Sequence, residues 1–167
     1  MNRFLLTLLA LAFSLQTVAQ DAAAYMKQLV AGNRVSFTYN VNGLGKTPLK
    51  LDGKLVVDGD CYRIEGNGLV IVCDGVSKWT VDTVAKEVYV ESSEGTRDFL
   101  ADPSAWTDNV KDLKLSGSVL TGTFEQDGSE MGFKFSSIKA EPLSGSTEGF
   151  VYDVSSLGKD WVVTDLR

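Results

Sequence analysis

The chain has 167 residues, a net charge of −6 and no histidine. The absence of histidine excludes His-based general acid–base catalysis, Ser-His-Asp triads and most zinc sites. The acidic balance, without a basic cluster in the sequence, argues against nucleic-acid binding. We therefore predict a protein that is not an enzyme, needs no metal ion or cofactor, and has no nucleic-acid partner.

Residues 1–20 have the pattern of a secretory signal peptide. Arg3 supplies a positive charge, Phe4 to Phe13 is almost wholly apolar, and small residues follow. The apolar run is shorter than the roughly 20 residues that a membrane-spanning helix needs. We expect cleavage after Ala19 or Gln20, which leaves one exported domain over residues 21–167.

A short helix is predicted over Asp21 to Val30, with Asp21 as its cap. Beyond it, apolar residues recur with a period of two, which is typical of half-buried strands. Strands are predicted over residues 35–41, 49–57, 62–65, 69–73, 78–82, 87–91, 111–115, 119–125, 131–135, 150–152 and 161–163. Ser92 to Trp106 interrupts this rhythm and predicts a loop. A meander of this length must curl or close to hide its apolar face, so we expect one curled antiparallel sheet in a mainly β protein.

The only two cysteines are Cys61 and Cys73. If Gly66-Asn67-Gly68 is a three-residue hairpin loop, the two cysteines lie opposite each other, and Tyr62, Ile64, Val70 and Val72 share one face. In an exported protein this pairing predicts a structural disulfide, worth about 3 kcal/mol in the chain-entropy model. The alternative is a pair of buried thiols.

Several motifs occur in a characteristic order along the chain. They are Val35-Ser36-Phe37-Thr38, Gly53-Lys54-Leu55, Tyr62-Arg63-Ile64-Glu65, Asp74-Gly75-Val76-Ser77-Lys78-Trp79, Glu87-Val88-Tyr89-Val90, Phe150-Val151-Tyr152-Asp153 and Asp165-Leu166-Arg167. Together they resemble the LolA family, the periplasmic carriers of outer-membrane lipoproteins, over nearly all of residues 21–167. In those carriers a basic residue and a proline follow the strand that matches Leu55-Val56-Val57, whereas this chain has Asp58-Gly59-Asp60.

The resemblance implies an incomplete β-barrel with a helical lid, formed here by the segment from Ser92 to Trp106. It also implies a periplasmic, monomeric carrier that binds the acyl chains of lipoproteins. Such a carrier meets a release machinery at the inner membrane and an acceptor at the outer membrane. Burial of acyl methylenes provides the binding energy without any catalytic group.

Seven apolar strand residues are our candidates for the lining of the acyl cavity, although on strands such residues are as often plain core. They are Phe37, Leu55, Val57, Trp79, Val81, Val88 and Val90. Arg63 is expected to contact a ligand or, more simply, to pair with a carboxylate such as Glu65 or Glu87.

Two other functions stay open. The same half-barrel can serve as a sensor domain that binds lipid or a lipoprotein. A hydrolase based on carboxylates is the third possibility, and it would require paired acids with shifted pKa values in one cleft.

Overall fold

A computed structural model describes residues 22–44, 49–94, 109–126 and 128–167. The described elements are one α-helix, one short 3-10 helix and ten strands. In chain order they are α1 (Ala22–Val30), β1 (Asn33–Gly43), β2 (Lys50–Asp58), β3 (Cys61–Gly66), β4 (Leu69–Cys73), β5 (Ser77–Asp82), β6 (Glu87–Ser92), β7 (Val110–Ser116), β8 (Val119–Gln126), β9 (Ser129–Pro142), the 3-10 helix (Val154–Ser156) and β10 (Val162–Asp165). The prediction of a mainly β protein with a short first helix is confirmed.

All ten strands form one sheet in the order β10-β6-β5-β4-β3-β2-β1-β9-β8-β7. Neighbours are antiparallel, except that β10 runs parallel to β6, so the sheet is mixed and not purely antiparallel as predicted. The edge strands β10 and β7 do not pair with each other, and the sheet is not closed into a barrel.

The two faces of the sheet carry separate apolar cores. We call the side that bears Phe37 face A and the side that bears Trp79 face B. On face A, β1, β2, β3, β7, β8 and β9 contribute one cluster, in which Phe37 and Phe135 have ring centroids 4.4 Å apart. Helix α1 packs on this cluster through Ala22, Tyr25 and Leu29, as its apolar spacing predicts.

Face B is buried at the other end of the sheet, across β4, β5 and β6. Residues 143–161, which we call the strap, run from the end of β9 to the start of β10 and cover this face. Phe150 is the most buried residue of the strap, only 2% exposed, and belongs to one apolar cluster with Val72, Trp79 and Val90. Residues 150–152 therefore belong to the strap and do not form the predicted strand.

Polar contacts hold the first half of the strap. The carboxylate of Asp58 accepts hydrogen bonds from the backbone N–H and the hydroxyl of Ser144. The same carboxylate lies 3.7 Å from the guanidinium of Arg34, which stacks 5.6 Å from the ring centroid of Phe150. Because the Asp58 side chain is only 3% exposed, these contacts stabilise a charge that would otherwise be costly to bury.

The hairpin of β3 and β4 differs from the prediction by one residue. Tyr62 lies opposite Cys73, and the turn consists of Asn67 and Gly68 alone, both with positive φ. This is the geometry of a type I′ turn, which the Asn-Gly pair favours. The shift puts Cys61 in the face B cluster and Cys73 in the face A cluster, so the predicted disulfide is absent. Likewise Tyr62 and Ile64 do not share a face with Val70 and Val72.

The predicted signal peptide, residues 1–20, lies outside the described residues. So does most of the predicted lid, since β6 ends at Ser92 and residues 95–108 are not described. Within the described ranges, α1 and the 3-10 helix are the only helices, and neither belongs to such a lid. No described helix has the length and apolar character needed to cross a membrane.

Candidate ligand-binding pocket

An apolar pocket of about 160 Å³ opens on face A, over the ends of β1 to β4. Its walls are almost wholly aliphatic and aromatic. They are formed by Tyr39, Leu51, Ile64, Gly66, Asn67, Leu69 and Ile71. Alternation along each strand explains the lining, because Leu51, Ile64 and Ile71 occupy positions that point to the same side as Tyr39. The site therefore suits an apolar group rather than a charged one.

Two glycines face each other beside this pocket, and one of them, Gly66, lines it. Gly53 of β2 is opposite Gly66 of β3, and the phenol of Tyr39 reaches over both. A Cβ atom at Gly53 would lie 1.9 Å from the carbonyl oxygen of Glu65 and 2.6 Å from the hydroxyl of Tyr39. Only glycine fits there, because the close approach of the backbone leaves no room for a side chain.

Tyr39 is the one ionisable side chain that lines the pocket. Its hydroxyl donates a long hydrogen bond of 3.5 Å to the carbonyl of Glu65, and the residue is 4% exposed. Burial raises the pKa of this phenol, and the nearby charge of Asp52 raises it further. The side chain is therefore neutral at physiological pH, and the pocket carries no charge of its own.

Exposed leucines continue the apolar surface beyond the pocket. Leu69 at its rim and Leu49, two residues before Leu51 on the same face, are each 40% exposed. On the other side the surface becomes polar, because Thr80 of β5 lies opposite Ile71 and Lys78 pairs with Glu91 at 3.1 Å. The apolar surface thus has a defined border along β5.

The seven predicted cavity residues do not share one face. Phe37, Leu55 and Val57 lie in the face A cluster, whereas Trp79, Val81, Val88 and Val90 lie in the face B cluster beneath the strap. The two groups therefore cannot line one cavity on a single face of the sheet. All seven are buried by the protein's own side chains, and none lines the pocket on face A.

The residues that line the pocket were missed by sequence reasoning, although the sequence carries a signal for them. Gly53 and Gly66 interrupt two neighbouring strands that otherwise alternate, and a glycine within a strand often marks close approach of a ligand or backbone. The continuous apolar run from Leu69 to Cys73 is a second signal, since it indicates a strand that is buried on both faces.

Charged residues form ion pairs and caps away from the pocket. Arg63 pairs with Glu65, as predicted, and donates to the carbonyl of Gly149 in the strap at 3.4 Å. Hydrogen bonds from Ser155 lower the pKa of Asp153, and the hydrogen bond from Lys86 lowers that of Asp160. Among the described residues, no group of three or more acidic or cysteine side chains is arranged to hold a metal ion.

A second, larger depression has a volume of about 390 Å³. It lies between the turn after β2, the turn after β4 and the start of the strap, and Asp58, Asp60 and Asp74 line it. The carboxylate of Asp58 is already occupied by Ser144 and Arg34. This depression is therefore part of the attachment of the strap.

The chain matches no model of a known protein family and no curated protein sequence. The functional interpretation accordingly rests on the fold and on the pocket.

Proposed function

We propose that the protein is a periplasmic carrier that binds an acyl chain of a lipoprotein in the pocket on face A. The observation that carries the proposal is an uncharged apolar pocket that opens beside exposed Leu49 and Leu69. In this proposal the single open sheet is a half-barrel of the LolA type. Delivery would connect a release machinery at the inner membrane with an acceptor at the outer membrane.

The volume of the pocket limits what it can hold. A water molecule takes about 30 Å³ of liquid and a methylene group is of similar size, so the pocket has room for roughly five methylene groups. At about 0.8 kcal/mol for each methylene, their burial contributes about 4 kcal/mol. This corresponds to a dissociation constant on the order of 1 mM. The pocket therefore holds the end of one chain, and firmer binding uses the apolar surface around Leu49 and Leu69.

The small volume also favours a second candidate, a sensor domain that recognises one acyl chain of a lipid or lipoprotein. A carrier should be isolated from the periplasm with a whole lipoprotein bound, whereas a sensor should bind lipid only transiently. Native mass spectrometry of the isolated protein distinguishes the two functions.

The proposal is tested by displacement of a fluorescent fatty-acyl probe. Leu69→Glu places a charge at the rim of the pocket, where an unpaired carboxylate beside hydrocarbon is costly, and should weaken probe binding more than about tenfold. Leu143→Glu is the matched control, because Leu143 is 45% exposed and lies in the strap, away from the pocket. A parent protein that binds no acyl probe, or equal affinities for the two variants, would overturn the proposal.

A further inference from the structure

The charges of the sheet are divided between its two ends. At the end formed by β3 to β6 and the residues after β9, nearly every basic side chain has an acidic partner. The pairs are Arg63 with Glu65, Lys78 with Glu91, Lys86 with Asp160, and Arg167 with Asp165. At the other end the lysines have no such partners among the residues that the structure describes, although the chain as a whole is acidic.

These lysines lie together on face B of β2, β7 and β9. We call this surface the lysine face, and it consists of Lys50, Lys54, Lys111, Lys114, Lys134 and Lys139. All six side chains are exposed, and none forms an ion pair with a described residue. The strap covers face B mainly over β4 to β6, and it reaches the lysine end of the sheet only at Asp58, at the end of β2, and Arg34, at the start of β1.

Neutral residues separate the lysines across the strands. Thr121 lies between Lys114 and Lys134, while Thr38 and Ser36 are the cross-strand neighbours of Lys54 and Lys139. Lys114 and Lys134 are two strands apart, a backbone distance of about 10 Å. This is about the Debye length at 0.1 M salt, so their positive potentials reinforce each other.

The acidic residues of this face lie at its ends and beside Lys54. Asp52 is between Lys50 and Lys54 on β2, and Glu65 of β3 is opposite Lys54. Glu125 and Glu130 lie near the turn from β8 to β9, and Glu141 faces Arg34. The middle of the face therefore keeps a net positive charge.

We propose that the lysine face docks the protein on the anionic surface of a lipid membrane. Each lysine near an anionic lipid surface adds to the electrostatic attraction. Several lysines together are therefore sufficient for reversible docking. The proposal goes beyond acyl binding, because the lysine face is on the opposite side of the sheet from the pocket.

The composition of the lysine face favours a membrane over a protein partner. Protein interfaces are enriched in aromatic residues, methionine and arginine and depleted in lysine, especially at their centre. Here the lysines stand among Ser36, Thr38, Asn40 and Thr121, without an aromatic side chain between them. Such a surface offers diffuse electrostatic attraction, which suits lipid head groups.

The experiment measures binding of the exported protein to vesicles of phosphatidylcholine, with and without phosphatidylglycerol, by co-sedimentation at low salt. The test variant combines Lys54→Gln, Lys114→Gln and Lys134→Gln. The control combines Lys78→Gln, Lys86→Gln and Lys159→Gln, which changes the net charge by the same amount at the end of the sheet where the charges are paired. The parent should bind only the anionic vesicles, and each lysine lost from the face should weaken binding roughly fivefold, or about a hundredfold for the three.

Three results would overturn the proposal. They are failure of the parent to bind anionic vesicles, equal losses in the two triple variants, and capture of an acidic protein by the lysine face without vesicle binding. Ile71→Trp, which fills the acyl pocket, should abolish probe binding and leave vesicle binding intact. Membrane docking and acyl binding can therefore fail independently of each other.

Discussion

The two ends of the sheet bury their apolar side chains on opposite faces. Around β1, β8 and β9 the apolar side chains point to face A, where they pack on one another and on α1. Around β5 and β6 they point to face B and are covered by the strap. The strand between them, β4, contributes to both clusters, with Cys73 on one side and Val72 on the other. A continuous sheet can thus change its buried face within two strands.

The polar faces differ as well. At the end of the sheet that carries the strap on face B, face A bears compensated charges such as Lys78 with Glu91. Opposite α1, face B carries uncompensated lysines such as Lys134. Burial and charge therefore change together along the sheet, and each end can be perturbed separately.

The largest expected effect comes from the centre of either core. Phe150→Ala and Phe135→Ala each remove a ring that is at most 2% exposed, so each should lower the free energy of unfolding by about 3–5 kcal/mol. Denaturant unfolding measures the loss. Hydrogen exchange should then separate the two ends, with Phe150→Ala raising exchange first in β5, β6 and β10. Uniform exchange throughout the sheet in both variants would show that the two cores are not separable.

A smaller effect is expected at the paired glycines. In Gly53→Ala the new methyl group meets the backbone of β3, and the resulting strain should cost about 2–3 kcal/mol. Gly132→Ala is the control within a strand, because its nearest neighbours are side-chain carbons of Leu44 at 3.4 Å or more. Thermal unfolding of both variants checks the difference, and a Gly53→Ala protein as stable as Gly132→Ala would contradict the close approach of β2 and β3.

The next effect concerns the attachment of the strap to the sheet. Asp58→Ala removes the acceptor of two hydrogen bonds from Ser144 and leaves Arg34 without its carboxylate, which should cost about 1.5–2.5 kcal/mol. Asp58→Asn keeps an acceptor for Ser144 and should lose less. Chemical denaturation measures both variants, and an equal loss would assign the whole effect to the ion pair with Arg34.

The smallest effect is a pH dependence at the end of β10. Hydrogen bonds from Arg167 lower the pKa of Asp165 from 3.8 to about 2. Because the folded pKa is lowered, this stabilisation is present above pH 3.8 and is lost as the pH falls through about 2. NMR titration of the Asp165 carboxyl measures the shift, and Arg167→Gln should return the pKa towards its ordinary value. A low pKa that persists in Arg167→Gln would exclude Arg167 as its cause.

Local patterns predicted the strands well, since alternation and turn residues act over a few positions. The run from Leu69 to Cys73 was predicted as a strand over the same residues that the structure assigns to β4. The register of its hairpin was wrong by one residue, because Asn67-Gly68 forms the turn by itself. That single shift accounts for the absent disulfide between Cys61 and Cys73.

The choice of buried face could not be predicted from alternation. Phe37 and Trp79 have the same pattern of neighbours in the sequence, and yet they lie on opposite faces. Their faces depend on distant partners, namely β9 beside β1 and Phe150 beneath β5. Because the buried face depends on such distant partners, alternation could not show that the predicted cavity residues lie on two faces. For the same reason it could not show that Leu51 and Ile71 line a pocket.

The strap also bears on the order in which the chain can fold. The meander from β1 to β6 joins strands that follow one another directly, so its loops close quickly. The pairing of β1 with β9 and of β6 with β10 joins residues far apart in the chain, which is slower because more loop entropy must be lost first. We expect the apolar side of β5 and β6 to stay uncovered until the last residues of the chain arrive.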